Sequence, residues 1–302
     1  MRKAELIVAV VLTTAGCSAS GSGIPPLPST PRDRPDTGVT RGDTRLVLKP
    51  GQFRYDLLVN ATIQAEGEPD SLQSSITTRA ILIVDVTDHN DSTYGVTVTA
   101  DSLHVATRRS SLPEILIGPV QVGPVLRASL TPYSVTVESQ LADSLCAYGQ
   151  ILSTARELLA PQLAIDGALP RRASGRDTAT TMVCRAGARI SAYTTRDLSN
   201  SHRYPPEFAS RGRTELAGTG ELRNDSIAVT GSLTNQGSLT FVDGLRLPSK
   251  VQTHSTGRIQ VRIGDSTTVF RQATDQIVEL RQVVDSLQAP SREPDHTPTP
   301  PN

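Results

Sequence analysis

Apolar residues occupy every second position between residues 53 and 64, and this alternation limits the folded part of the chain to a structure built from strands. The alternating apolar residues are Phe53, Tyr55, Leu57, Val59, Ala61 and Ile63. Successive side chains of a β-strand point to opposite faces, so the segment predicts a strand with one face on a core and the other toward water. It is the clearest strand in the sequence.

Other segments have the same character. Strands are predicted at residues 79–86, 93–100, 125–130, 133–138, 180–195, 214–221, 226–241, 251–263 and 267–277. The first of these is apolar on both faces, so we expect it to be central, and the turn-forming residues 88–92 join it to the second. Gly, Asp, Asn and Pro separate the short strands, which is typical of an antiparallel sheet made of successive hairpins. Because the chain has no Trp, its core must rely on Val, Leu, Ile and Ala.

One segment departs from this period of two. Its apolar residues are spaced as on one face of a helix, and they are Leu141, Leu145, Tyr148, Leu152, Ala155 and Leu159. Ser139 is placed to cap the start of that helix, and Pro161 to end it. Residues 277–287 suit a helix as well as a strand. We therefore expect a mainly β fold: a curved antiparallel sheet or half-open barrel of about 9–11 strands with one central packed α-helix.

The first 17 residues have the layout of an export signal. Two basic residues precede a short apolar run, and small residues follow it. That run is too short to cross a bilayer of about 30 Å as a helix. Ala15, Gly16 and Cys17 resemble the bacterial lipobox, which implies that Cys17 is acylated and becomes the new N-terminus. Thr14 departs from that motif, which usually carries Leu there; the alternative is ordinary cleavage after Ala19, which would leave a soluble periplasmic or secreted protein.

The domain organisation follows from composition. Residues 18–44 form a Ser/Gly/Pro-rich segment predicted to be a disordered tether, residues 45–288 a single β-rich globular domain, and residues 289–302 a disordered Pro-rich tail. Ser18 is not the Asp that often retains lipoproteins at the inner membrane. The lipobox resemblance therefore implies a lipid anchor in the outer membrane, with the domain facing the periplasm.

Two cysteines remain after Cys17. In an oxidising compartment an even number of cysteines favours a disulfide, here between Cys146 and Cys184. The alternative is a pair of buried free thiols.

The sequence predicts no catalytic, cofactor or metal site. Thirty basic and thirty acidic residues cancel without a long run of either sign, which argues against nucleic acid as a partner. The densest group of possible metal ligands is Asp85, Asp88, His89, Asn90 and Asp91. It lacks the Gly and the distal Glu of a calcium loop, so we interpret it as a solvated turn. The five histidines are far apart, and no nucleophile elbow or phosphate-binding loop occurs.

The signal, the tether, the Thr- and Val-rich strands, the central Leu-rich helix and the late Cys pair together resemble an uncharacterised class of bacterial lipoproteins. By architecture alone, residues 45–288 are also similar to carriers of the LolA and LppX type. In those carriers a strongly curved antiparallel sheet wraps a hydrophobic cavity that helices close. No motif residue of those carriers can be transferred to this chain.

The resemblance implies an apolar cavity under the helix that could hold an acyl chain or another hydrophobic small molecule. Its lining would be Phe53, Tyr55, Leu57, Val59, Val96, Val98, Ile259, Val261 and Ile263. The alternative is that these side chains pack on one another, since protein interiors are normally close-packed. The chain would then be a structural or protein-interaction lipoprotein with a solid core.

Overall fold

The structure is a computed structural model that describes residues 46–69, 73–90, 93–109, 112–132, 134–140, 149–160, 163, 169–182, 189–201, 205–222, 225–242 and 244–285. The signal segment with Cys17, the tether and the tail lie outside the described residues. So do Cys146, Cys184 and Pro161, so the disulfide and the predicted end of the helix remain predictions.

Twelve strands and one helix make up the described fold. The strands are β1 (Gly51–Ala65), β2 (Ser74–Asn90), β3 (Thr93–Arg109), β4 (Leu112–Val120), β5 (Gly123–Thr131), β6 (Ser134–Gln140), β7 (Arg172–Met182), β8 (Arg189–Asn200), β9 (Glu207–Leu222), β10 (Asp225–Phe241), β11 (Pro248–Ile263) and β12 (Ser266–Asp285), and helix α1 spans Gly149–Leu159. The predicted mainly β class with one packed helix is confirmed.

All strands belong to one antiparallel sheet. Their order is β6-β5-β3-β2-β1-β12-β11-β10-β9-β8-β7, and β4 pairs with β3 alongside β5. The first and last strands, β1 and β12, are therefore neighbours in the middle of the sheet. Because β1 is hydrogen-bonded on both sides and has one buried face, its sequence alternates more clearly than that of any other strand.

The sheet curves around α1. The helix contacts both β5 and β11, which are five strand steps apart in the sheet. In a flat sheet those strands would be about 24 Å apart at the usual strand spacing, whereas a helix is only about 10–12 Å across. The sheet must therefore bend to bring both strands to one helix.

Inward-facing glycines permit the tight curvature of the second half of the sheet. A Cβ on Gly237 of β10 would overlap the carbonyl oxygen of Gln252, and one on Gly257 of β11 would overlap the carbonyl oxygen of Ser232. Glycine in a strand interior often marks such a close approach of two backbones. Two glycines in the sequences of β10 and β11 thus account for the tight curl between β9 and β12.

The prediction of a single strand at residues 180–195 is wrong. The structure has two strands there, β7 and β8, which pair antiparallel from Arg172 with Ser199 up to Met182 with Arg189. Such pairing requires the chain to reverse between Met182 and Arg189. Apolar and Thr-rich residues on both sides of the reversal hid it from a pattern-based prediction.

Three local predictions also change. No strand was predicted at β4, which contains two prolines; it pairs with β3 and lies at an edge, where proline is tolerated. Ser139 lies in β6 and does not cap the helix, which begins at Gly149 within the described residues. Residues 277–285 continue β12, since pairing with β1 extends to Asp285.

We expect Gly257→Ala to lower the free energy of unfolding by about 1–3 kcal/mol, because the new methyl group would collide with the backbone of β10. Urea unfolding followed by circular dichroism measures the change. Ser238→Ala, on the neighbouring strand, is the matched control and should have little effect. Equal stability of both variants would contradict the close approach.

Candidate functional site

Six of the nine residues predicted to line a cavity lie in one buried cluster with the helix. They come from β1 and β3, are 0–3% exposed, and are Phe53, Tyr55, Leu57, Val59, Val96 and Val98. The α1 residues of the same cluster are Ile151, Ala155, Leu158 and Leu159. This cluster, which we call the helix layer, also includes residues of β2, β5, β8, β9, β10, β11 and β12.

The other three predicted residues lie elsewhere. Ile259, Val261 and Ile263 are buried at the far end of β11 and do not belong to the helix layer. Their partners in the sheet include Phe270 on β12 and Val229 on β10, which are also buried. We call this second group, built on β10, β11 and β12, the distal layer. The nine residues therefore form two apolar regions separated along the strands.

A band of polar and small residues separates the two layers on the inner face. We call it the polar belt, and its members are Thr194, Arg196, Ser210, Gly212, Thr214, Asn235, Gly237, Thr253, Ser255, Gly257, Gln272, Thr274 and Gln276. The strand register aligns them. Its central row runs across five strands, from Thr274 through Ser255, Asn235 and Gly212 to Arg196.

The belt differs in burial from one side to the other. On β12, Gln272, Thr274 and Gln276 are buried. On β10 and β11, Asn235 and Thr253 keep partial exposure although they face inward. The middle of the belt is therefore partly exposed, while the apolar residues on both sides of it are buried.

Side chains of the belt bond to one another. The Asn235 Nδ2 donates to Thr214 Oγ1 at 2.8 Å, and Thr214 Oγ1 lies 2.9 Å from Thr194 Oγ1. The Gln272 Nε2 donates to Thr274 Oγ1 at 3.2 Å. The other end of that amide, Gln272 Oε1, is buried without a hydrogen-bond partner among the described residues. Within the part of the chain that the structure describes, the belt thus retains a buried acceptor with no donor.

Glu157 of α1 links the helix to both sides of the belt. One carboxylate oxygen accepts from the Arg196 guanidinium on β8, and the other accepts from Gln276 Nε2 on β12 at 2.6 Å. These strands are four steps apart, or about 19 Å in a flat sheet. A single carboxylate can reach both only because β8 to β12 curl toward each other.

Arg246 holds the C-terminal end of this helix, just beyond Glu157. Its side chain is buried, and its Nη2 donates to the carbonyl oxygens of Leu159, Ala160 and Leu163 at 3.1, 2.8 and 2.8 Å. The last carbonyls of a helix have no intrahelical partner and carry partial negative charge. A buried cation there satisfies these carbonyls and fixes where α1 ends.

Tyr55 brings a further polar group, its hydroxyl, into the interior. The Tyr55 hydroxyl is buried in the helix layer with no hydrogen-bond partner among the described residues. Burial raises the pKa of this phenol above its ordinary value, so it stays neutral. Within the described ranges, no three His, Cys, Asp or Glu side chains converge as metal ligands.

The pattern-based prediction missed the polar belt, although the sequence contains its signal. On β12 the inner-facing residues between Phe270 and Val278 are all polar, and on β11 those between Val251 and Ile259 are Thr, Ser and Gly. The same gap recurs on β8, β9 and β10. Aligning the strands shows that these gaps lie side by side, which requires the register.

Comparison with known proteins identifies no family. No protein-family model matches the chain, and no curated protein matches it. A solved outer membrane channel from Pseudomonas putida is 8% identical, with a TM-score of 0.23, over 80% of this chain and 100% of that one. The outer membrane protein OmpT of Vibrio cholerae is 9% identical, with a TM-score of 0.26, over 77% and 100% of the two chains. At such scores the likeness supports no conclusion about fold or function.

A helix that crosses a bilayer must be long and apolar. None of the helices in the described part of the chain is long and apolar enough to cross a bilayer.

We expect Glu157→Leu to lower the free energy of unfolding by about 3–5 kcal/mol, because it leaves the largely buried Arg196 without its carboxylate. The double variant Glu157→Leu/Arg196→Met should recover most of that loss, since it removes both charges. Guanidinium unfolding of the wild type, the two single variants and the double variant measures the coupling. Additive losses would show that the pair does not hold α1 in place.

Proposed function

We propose that this chain is a non-catalytic binding protein of the bacterial cell envelope, holding a hydrophobic small molecule or acyl chain between the curved sheet and α1. One observation carries the proposal. The apolar inner face draws on nine strands, and within the described residues one helix of eleven residues and the buried segments 46–48 and 245–247 cover it. A helix of that length extends only about 16 Å.

The contacts of α1 suit a helix that stays in place while a ligand replaces part of its apolar packing. Polar bonds from Arg196, Gln276 and Arg246 fix its position. Its apolar contacts, through residues such as Ile151 and Leu158, are of a kind that an acyl chain could replace. Exchanging one apolar contact for another changes the hydrophobic free energy little, since that energy follows the apolar area removed from water.

The location of the protein is part of the proposal. Export by residues 1–16 and a lipid on Cys17 would place the domain at the periplasmic face of the outer membrane. The Pro-rich residues 18–44, as a flexible chain, would give a reach of roughly 30 Å. Ordinary cleavage, which would release the protein into the periplasm or medium, is the alternative.

A structural or protein-interaction role is the second candidate. The nine predicted lining residues are only 0–8% exposed, so neighbouring atoms already cover them. Edge strand β4 also exposes Ile115 and Leu116, the latter at 72%. A solid core and an exposed edge would suit a protein whose partner is another protein.

Native mass spectrometry of the protein from its own host distinguishes the two functions. We expect a native mass above the denatured intact mass of the same sample, because a bound apolar ligand leaves on denaturation. The size of the difference would indicate the class of ligand. Identical masses would contradict the carrier function and favour the interaction role.

We expect Cys17→Ala to release the protein from membranes into the soluble fraction, because the variant has no sulfur to acylate. Fractionation and immunoblotting of cells that express either form measure this, with Ser18→Ala as the control that keeps the cysteine. Membrane retention of the Cys17→Ala form would rule out the lipid anchor.

A further inference from the structure

We infer that the polar belt binds a neutral group rich in hydroxyls, of the sugar type. The group would belong either to a free saccharide or to the headgroup of an amphiphile whose apolar part lies along the helix layer or the distal layer. Only this second case rests on the proposed function, since it needs an apolar binding surface beside the belt.

The composition of the belt favours a ligand that forms hydrogen bonds and has no net charge. Its described members carry hydroxyl and amide groups, and Arg196 is the only ionisable side chain among them. Glu157 already pairs with that arginine, so the local charges cancel. An anion would find no spare cation in the belt, whereas an alcohol can both donate and accept there.

Gln272 Oε1 has no hydrogen-bond partner among the described residues, and it identifies the side of the belt to which the ligand donates. This residue is only 3% exposed, and its Nε2 already donates to Thr274. A buried acceptor without a donor is unfavourable for stability. A ligand hydroxyl would supply the missing proton and restore the hydrogen bond.

The centre of the belt is only partly buried, so a ligand could reach it. Glycine occupies inner-facing positions on three successive strands, at Gly212, Gly237 and Gly257. The partly exposed Asn235 and Thr253 lie in or beside these rows and offer additional donors and acceptors. A sugar ring would thus contact Asn235 and Thr253, with Gln272 on one side and the hydroxyl groups of β9 and β11 beside it.

The apolar neighbours of the belt fit a sugar attached to an acyl chain. The row next to Gln272 pairs Phe270 with Ile259, which begins the distal layer. On the opposite side, Val278 pairs with Val251 and begins the helix layer. An alkyl group joined to a sugar at the belt would therefore meet apolar side chains whichever way it ran.

Calorimetric titration of the otherwise full-length Cys17→Ala chain tests the inference with three probes. Dodecyl maltoside below its micelle concentration has both a sugar and a chain, maltose has only the sugar, and lauryldimethylamine oxide has a chain of the same length without a sugar. We expect dodecyl maltoside to bind at least tenfold more tightly than lauryldimethylamine oxide. Measurable binding of maltose alone would identify the free saccharide as the source of the group.

Two variants locate the site. Gln272→Met keeps the volume of the side chain and removes the acceptor, so we expect at least tenfold weaker binding of dodecyl maltoside with no loss of thermal stability. Ser255→Ala, at a partly exposed position of the belt, should also weaken binding without affecting folding. Gln260→Met, on the exposed face of the same strand, is the control and should bind as the wild type does.

The outcomes separate this inference from the proposed function. Equal binding of both detergents, unaffected by Gln272→Met, would overturn the polar site and leave the hydrophobic carrier intact. Binding of maltose but of neither detergent would support the belt and contradict the carrier. Absence of binding by all three probes would overturn the belt as a sugar site.

Discussion

The carboxylate of Glu157 joins three parts of the molecule that chain connectivity alone leaves apart: α1, strand β8 and strand β12. Strand pairing determines which strands are neighbours, but it does not determine how tightly the sheet curves. A bond from one helix to strands four steps apart sets that curvature, provided that glycines such as Gly257 let the backbones approach. The burial of both apolar layers depends on this closure.

The interior combines a belt of polar side chains with two apolar layers, one on each side of it. Polar groups buried without partners are costly, and most of the belt avoids that cost through mutual hydrogen bonds. Among the described residues, Gln272 on the belt and Tyr55 in the helix layer each bury a polar atom without a partner. An entirely structural core would be more stable with apolar groups of the same shape at these two positions. Their presence gives physical reason to look for a ligand.

Sequence patterns were most successful where one strand face is uniformly apolar and the other meets water. β1 was located almost to its ends for this reason. β4 was missed because its prolines look like strand breakers unless its edge position is known. The reversal between β7 and β8 was missed because the flanking residues have the same strand-like character. Each miss depends on a neighbour that local sequence does not show.

By itself, the amino-acid sequence determined the mainly β class, the single packed helix and the burial of the nine predicted residues, because side-chain alternation and helical spacing are local properties of the chain. Only the tertiary structure decided that those nine residues divide into two layers with a polar belt between them. The belt consists of short polar gaps on five consecutive strands, and each gap alone resembles an imperfect strand. Hydrogen-bond register aligns the gaps, and curvature turns the aligned row inward toward Glu157.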